Sequence, residues 1–398
     1  MKILYLVASE GIYYDMRGGA GTHIRGTIKA FRDHGHEVTP LLFGDYLRKN
    51  LNSQGEDDVV VEKSKSTKDF LPQKLRVLGR EFNSIRRKKK YRALIEDYLV
   101  DNRPDFIYER SCLFSVDGGR LARKHGIPYF LETSGCIAEL ADDAYGVPSV
   151  QLANYIERLK LQSADVVVTE AKSAIPFVRD KFNLKNAKII AKPLGVYLPV
   201  DEDSNIREGR ISILRKSLGL SEEDIVVGYV GSFASYHRVE SFIPYFRENE
   251  ALRFLMVGAG GNYEYCKEKV CELGLSNVIF TGYVKEGLSD YLGIMDLGLI
   301  PDCEPHMAPI KYFEYGIYGV CPIVPDYWAF ERLCENKVNG FKFRPNDHSS
   351  ISSMFSTIMN CKREEVKEKG ESWSQEVRSN FEWKEVVREV ILTAQNNN

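Results

Sequence analysis

The chain has 398 residues, 43% of them hydrophobic and 28% charged, with a formal net charge of −2. This length exceeds what one hydrophobic core usually holds, so we expect two domains. The near-neutral charge argues against a nucleic-acid partner bound through bulk positive charge. No apolar run approaches the ~18 residues of a membrane span, and the eight cysteines show no zinc-site spacing. We therefore expect a cytoplasmic protein with reduced thiols.

Short apolar runs alternate with amphipathic stretches along the whole chain. The first half predicts strands at residues 3–7, 37–42, 106–108, 128–131, 166–169 and 187–190. The second half predicts strands at residues 225–230, 253–257, 278–281, 297–300 and 321–324. This alternation predicts an α/β fold with parallel sheets covered by helices. A polar, charged stretch predicts a linker near residues 195–205.

Residues 63–92 contain twelve Lys or Arg residues and only two acidic ones. Their apolar residues follow the spacing of one helix face, at Leu71, Leu75, Leu78, Phe82 and Ile85. One interpretation is a helix that packs on its domain and exposes a charged face. The other is a basic amphipathic segment on an anionic membrane surface. Nucleic acid is the weaker third option, because no aromatic residues interleave with the basic ones.

Glycines follow several of the predicted strands. They occur at Gly18-Gly19, which precede a helix, at Gly231, in the segment 258–261 and at Gly282. In open α/β sheets, ligands bind at the carboxyl ends of the strands. Four such positions predict a ligand-binding cleft between two domains.

The segment 305–316 predicts a loop that enters a helix. Pro309 suits the first turn of a helix, where free N–H groups and the helix dipole favour a phosphate. Lys311 adds a positive charge, and Glu314 lies about one turn further along, where its carboxylate suits a sugar hydroxyl. The alternative is a surface helix that carries an unrelated Lys and Glu.

Together these residues resemble the GT-B-fold, family-4 retaining glycosyltransferases over nearly the whole chain. The resemblance rests on Gly18-Gly19 with His23, and on the segments 35–38, 105–110, 126–132, 228–233, 257–260, 277–283, 309–315, 339–341 and the late helix at Trp383. It implies two Rossmann-like domains that face each other across a deep cleft. Residues 1–198 would bind the acceptor, residues 199–375 the nucleotide-sugar donor, and a helix within 376–398 would cross back to the first domain.

The resemblance implies retaining transfer of a sugar from a nucleotide-diphosphate sugar, such as a UDP-sugar, to a glycan or lipid-linked acceptor. Polysaccharide or glycoconjugate synthesis is the expected setting, with peripheral attachment to the inner face of the cell membrane. No metal, cofactor or nucleic acid is implied, and the nucleotide-sugar is a co-substrate. The alternatives are a sugar-nucleotide epimerase or hydrolase on the same fold, and a degenerate transferase that acts as a nucleotide-sugar-binding partner subunit.

The resemblance also assigns residues to roles. Catalysis is assigned to Arg238, Lys311 and His306, and the acceptor to Glu132 and His23. The N–H groups of residues 307–310 and Gly19 contact the diphosphate, Glu314 holds the ribose, and the backbone at Tyr283 and Val284 meets the base. The full donor set is Gly19, Gly231, Ser232, Gly258, Gly260, Tyr283, Val284, Met307, Ala308, Pro309, Ile310 and Glu314.

Three positions depart from the family pattern. His306 replaces a commonly found Glu, Ser232 replaces an Arg, and His237 replaces a Lys. The diphosphate cation is then Arg238 or Lys311 in a rearranged set, or the protein has lost activity.

Overall fold

The computed structural model describes residues 1–16, 18–52, 73–199, 204–305, 308–330, 334 and 338–397. The chain divides into two compact units, which are Met1–Pro193 with Trp383–Asn398, and Leu194–Glu382. We call these the N-unit and the C-unit.

The N-unit contains a parallel six-stranded sheet in the order β2-β1-β3-β4-β5-β6. The strands are β1 (Lys2–Val7), β2 (Glu37–Leu42), β3 (Phe106–Arg110), β4 (Tyr129–Thr133), β5 (Val166–Thr169) and β6 (Lys188–Ala191). The helices are α1 (Gly19–Asp33), α2 (Phe43–Asn52), α3 (Gln73–Asp101), α4 (Asp117–His125), α5 (Ile137–Tyr145), α6 (Val150–Ser163), α7 (Ala174–Lys181), α15 (Trp383–Val386) and α16 (Arg388–Asn397). The inner strands β1, β3, β4 and β5 are almost fully buried because helices cover a parallel sheet on both faces.

The C-unit contains a second parallel sheet, in the order β12-β11-β10-β7-β8-β9. Its strands are β7 (Val226–Val230), β8 (Arg253–Val257), β9 (Val278–Gly282), β10 (Leu297–Leu299), β11 (Cys321–Pro325) and β12 (Phe341–Phe343). Its helices are α8 (Ser204–Ser217), α9 (Ile243–Glu248), α10 (Tyr263–Glu272), α11 (Leu288–Ile294), α12 (Ile310–Ile317), α13 (His348–Asn360) and α14 (Arg363–Asn380). Two such units of parallel sheet and helices confirm the predicted α/β fold class.

The predicted domain boundaries require correction. The first boundary lies between Pro193 and Leu194 rather than at residue 198, and the segment that returns to the N-unit begins at Trp383 rather than at residue 376. The reason is that the end of α14 packs on α12 within the C-unit. Trp373 and Val377 are fully buried there, against the backbone of Gly316.

The basic segment is described only in part. Leu71 lies outside the described residues, and the side chains of the remaining predicted apolar stripe are likewise outside the description. Two of its cations contact the N-unit, because Arg87 pairs with Glu10 and Lys88 donates to the Leu113 carbonyl. In the described part of the chain, every helix is too short or too polar to cross a bilayer.

Candidate active site

In the C-unit, the carboxyl ends of β7 and β8 meet through two glycines. Gly231 has a φ of +143° and Gly258 a φ of +136°, both in the range that favours glycine. A Cβ atom on Gly258 would lie 1.9 Å from the Gly231 carbonyl oxygen, so the two backbones touch. A side chain at Gly258 would prevent this close approach, so glycine is required there.

Lys311 reaches back from α12 to the same strand end. Its Nζ lies 3.1 Å from the Tyr229 hydroxyl and 4.1 Å from the centre of the Tyr229 ring. A Cβ on Gly231 would come within 2.9 Å of this Nζ. Burial lowers the pKa of Lys311 to about 7, although Glu314 opposes the shift. The structure thus brings together Gly231 and Lys311, and Ser232 joins them because its carbonyl accepts from the Tyr229 hydroxyl at 2.5 Å.

Helix α12 carries Glu314 one turn beyond its start. Burial raises the pKa of Glu314, and Lys311 opposes that rise. The helix is held from behind by Trp373, whose ring stacks on Tyr312 and whose Nε1 donates to the Tyr312 carbonyl at 3.0 Å. Lys311 and Glu314 therefore project from a helix whose opposite face is packed.

The entry to α12 corrects one assignment. Pro309 is the N-cap residue and has no N–H group, so it cannot donate to a diphosphate as predicted. Ala308, Ile310 and Lys311 retain N–H groups at this helix start. His306 and Met307 lie outside the described residues, so their assignments stay predictions.

Arg238 and His237 occupy different environments. Arg238 is exposed, with a φ of +48°, and its Nη1 lies 3.4 Å from Asp302 Oδ2. His237 is buried, with its ring edge-on to Tyr229 at a centroid distance of 6.2 Å. Burial, and then Lys311, lower the pKa of His237 to about 3, so its ring is neutral. The sequence shows that His237 precedes Arg238. It does not show that the Tyr229 side chain contacts both His237 and Lys311.

The remaining donor residues of the C-unit lie at neighbouring strand ends. Gly258 N–H donates to the Gly282 carbonyl at 3.0 Å, which joins the ends of β8 and β9. Gly260 has a φ of +83° and open space beside it, and Tyr283 is 60% exposed just beyond β9. Val284 is half-buried. Gly19 begins α1 in the N-unit.

In the N-unit, the two predicted acceptor residues are in contact. His23 Nε2 lies 2.9 Å from Glu132 Oε1, and both side chains are buried. A third residue, Lys192, joins them, with Nζ at 3.0 Å from both Glu132 Oε1 and His23 Nε2. Sequence reasoning missed Lys192, although it lies directly after β6, where the parallel-sheet rule places ligand-facing residues.

The charges in this cluster compensate one another. Burial alone would raise the pKa of Glu132, but His23, Lys192 and Arg110 lower it below its ordinary value, so the carboxylate is ionised. Burial lowers the pKa of His23 to about 3, which keeps its ring neutral. His23, Glu132 and Glu170 place three potential metal ligands within 4.8 Å of one another. Lys192 already supplies a positive charge between two of them, so a metal ion there would have to displace its ammonium.

A cavity of about 850 Å³ opens beside this cluster, at the carboxyl edge of the N-unit sheet. Its wall is largely apolar and includes three charged residues that interact with one another, Arg110, Glu132 and Glu170. A buried network supports the wall, since Ser111 Oγ donates to Glu157 at 2.9 Å and Lys160 Nζ donates to the Cys112 carbonyl at 2.9 Å. The N-unit therefore offers a built binding site next to both predicted acceptor residues.

Comparison with known proteins agrees with this architecture. A family model described as glycosyl transferases group 1 matches residues 211–378, and one described as a glycosyl transferase 4-like domain matches residues 18–195. No curated protein matches the chain.

Solved structures share the fold across the whole chain. HepE of Anabaena, solved with UDP, has a TM-score of 0.70 at 15% identity and 100% coverage of both chains. Sucrose-phosphate synthase of Thermosynechococcus elongatus has a TM-score of 0.71 at 16% identity, covering 99% of this chain and 98% of that one. A glycosyltransferase of Rickettsia africae has a TM-score of 0.67 at 15% identity, again covering 99% and 98%. Residues 211–378 therefore belong to the glycosyl transferases group 1 and residues 18–195 to the glycosyl transferase 4-like domains, and the chain has the GT-B glycosyltransferase fold.

Proposed function

We propose that the protein is a retaining, metal-independent glycosyltransferase that moves a sugar from a UDP-sugar to a glycan or lipid-linked acceptor. The observation that carries this proposal is the buried Lys311 amine against Gly231, on the helix that also presents Glu314. The structures of Anabaena HepE with UDP and with UDP-glucose support a UDP-sugar as the donor class. Synthesis of polysaccharide or glycoconjugate at the membrane surface is the proposed setting.

The proposed chemistry uses fixed positive charge. When the bond between the sugar C1 and the diphosphate oxygen breaks, negative charge develops on the leaving diphosphate. Lys311, Arg238 and the N–H groups at the start of α12 stabilise that charge, because they are oriented before the reaction. Glu314 holds the ribose. These protein cations are the reason for proposing that no metal is needed.

The anomeric configuration of the sugar is retained if the acceptor attacks C1 from the same face that the diphosphate leaves. The acceptor oxygen forms the new bond to C1, and its proton passes to the departing diphosphate. This route needs no pair of catalytic carboxylates of the glycosidase kind. The acceptor binds in the N-unit cavity, where Glu132 accepts a hydrogen bond from its hydroxyl.

The test is incubation of the full chain with UDP-glucose, UDP-N-acetylglucosamine, UDP-galactose and GDP-mannose, without acceptor and with EDTA. We expect slow release of UDP and of a sugar that first has the anomeric configuration of the donor, seen by proton NMR within minutes. The variant Lys311→Met should lose this release. A new sugar epimer would indicate an epimerase, and binding without turnover would indicate a partner subunit. Release that stops in EDTA would contradict metal independence.

A further inference from the structure

The charged groups that line the N-unit cavity do not cancel. Two cations, Lys88 and Arg110, face three carboxylates, those of Glu10, Glu132 and Glu170. Two of these carboxylates are paired with cations that do not line the cavity. Arg87 holds Glu10 through two hydrogen bonds of 2.9 and 2.6 Å, and Lys192 lies 3.0 Å from Glu132. Counted together, these four cations exceed the three carboxylates by one positive charge.

Arg110 is the cation whose position best suits binding of an anionic ligand in this cavity. It is the last residue of β3, and the sheet register sets it beside Glu132 on β4. Its side chain is half-buried, and its Nη1 is buried without a hydrogen-bond acceptor among the described residues. Such a donor costs free energy until a ligand satisfies it. A guanidinium presents its N–H groups as a planar fork that matches a carboxylate or a phosphate.

Two carboxylates, Glu132 and then Glu170, interact electrostatically with Arg110. Neither of them accepts a hydrogen bond from its Nη1. The wall also carries apolar side chains, including Ile12, Leu113 and Leu140. The cavity thus suits a molecule that has both an anionic group and an apolar part.

Resting on the proposed transfer reaction, we infer that the acceptor carries an anionic group, a carboxylate or a phosphate, which Arg110 binds in the N-unit cavity. Glu132 accepts from a hydroxyl of the same molecule, and the apolar wall contacts its aglycone. Arg110 is therefore a specificity-determining residue for the acceptor. A sugar acid and a sugar phosphate both carry such an anionic group, and the experiment below distinguishes between them.

The test uses three matched probes with the full chain: octyl glucoside, its 6-carboxylate (octyl glucuronide) and its 6-phosphate, each below its micellar concentration. Calorimetry should show that at least one charged probe binds ten- to hundredfold more tightly than the neutral one, as a charged hydrogen bond predicts. Arg110→Gln should remove this preference and leave the affinity for octyl glucoside within about twofold. Arg110→Lys should restore part of it. Lys89→Gln, an exposed neighbour on α3, is the matched control and should keep the preference.

The comparison between the two charged probes identifies the preferred anion. Equal affinity for all three probes, absence of binding by both charged probes, or a preference that persists in Arg110→Gln would overturn the inference. UDP affinity serves as the folding control for each variant. Donor hydrolysis without acceptor tests the proposed function separately. Normal hydrolysis without a preference for the anionic probes would therefore reject only the inference about the acceptor.

Discussion

The side chain of Lys311 is buried where its positive charge is disfavoured, so the stability of the folded chain depends on pH. Its pKa of about 7 in the folded chain lies well below the ordinary value of 10.5. Between these values the unfolded chain holds a proton that the folded chain has lost, so stability rises with pH across this window. Below pH 7 both states are charged, and the burial penalty is fully present. Lys311→Met should flatten this part of the stability curve.

Donor binding should reverse the shift of Lys311. A diphosphate beside the amine favours its charged form, so binding of UDP at pH 8 should take up close to one proton per site. At pH 6 the amine is already charged, and uptake should vanish. The measurement is calorimetry of UDP binding in HEPES and in Tris, whose ionisation heats differ. A binding heat at pH 8 that is the same in both buffers would contradict the assignment. Lys367→Met, an exposed change on α14, is the control and should behave as wild type.

Glu314 gives a second prediction for a single residue. If its carboxylate accepts from the ribose, Glu314→Ala should weaken binding of UDP by roughly ten- to hundredfold, since a hydrogen bond to a charged group contributes about 1.5–3 kcal/mol. The measurement is calorimetry with UDP. Glu368→Ala, at an exposed site on α14, should leave the affinity unchanged. Equal affinity of the Glu314 variant and wild type, with an unchanged melting temperature, would exclude the ribose role.

Site residues that are close together in sequence were easier to predict than residues that meet only through the fold. Lys311 and Glu314 share one helix with Pro309, so their spacing alone implied a common surface. Lys192 joins Glu132 across 60 positions of sequence, and His237 meets Lys311 only through Tyr229. Such contacts depend on which strands become neighbours. A single sequence does not specify that order, so Lys192 and the contact through Tyr229 were missed.

Among the elements, the contact between α1 and α15 sets how the end of the chain docks on the N-unit. The backbone of α1 lies against the Trp383 ring, and a Cβ on Gly26 would come within 2.0 Å of that ring. The Lys192 ammonium lies 5.5 Å from the centre of the same ring, and the His23 ring is 5.8 Å away. Trp383 therefore supports the acceptor cluster as well as the docked segment.

This contact predicts a sensitive glycine. Gly26→Ala should lower the free energy of unfolding by about 1–3 kcal/mol, because an added methyl overpacks the interface. Gly79→Ala, in α3 with open space beside it, should instead be neutral or stabilising by up to about 1 kcal/mol, as expected for alanine in a helix. Urea denaturation followed by circular dichroism measures both. If Gly26→Ala is as stable as Gly79→Ala, the Trp383 ring does not pack on α1 as described.

The strands were the most predictable elements. All eleven predicted strands are present, and their bounds differ by at most two residues, because buried parallel strands are continuous apolar runs. The twelfth, Phe341–Phe343, was missed because three residues with a central Lys show no such run. The return of the chain at Trp383 was placed too early, because α14 continues through residue 380 before it ends.

For the whole molecule, the basic segment 63–92 is the feature that bears on where the protein works. Its described part lies in α3 and exposes Arg86, Lys89, Lys90 and Arg92, whereas Arg87 and Lys88 contact other parts of the N-unit. Arg86, Lys89 and Lys90 are therefore among the cations available to an anionic surface. Each such cation contributes about 1 kcal/mol near an anionic membrane, so three together change binding markedly.

The prediction is that the wild-type chain co-sediments with vesicles that contain phosphatidylglycerol, but not with neutral phosphatidylcholine vesicles. Changing Arg86, Lys89 and Lys90 together to Gln should lower this binding by more than tenfold. Changing Lys267, Lys362 and Lys367 to Gln removes the same charge from exposed sites of the C-unit and should have little effect. Binding should also weaken with salt, because the Debye length falls from roughly 10 Å at 0.1 M to 3 Å at 1 M. If the two triple variants partition alike, or wild type does not bind, the segment is a charged face exposed to solvent, and an acceptor in the membrane is not required.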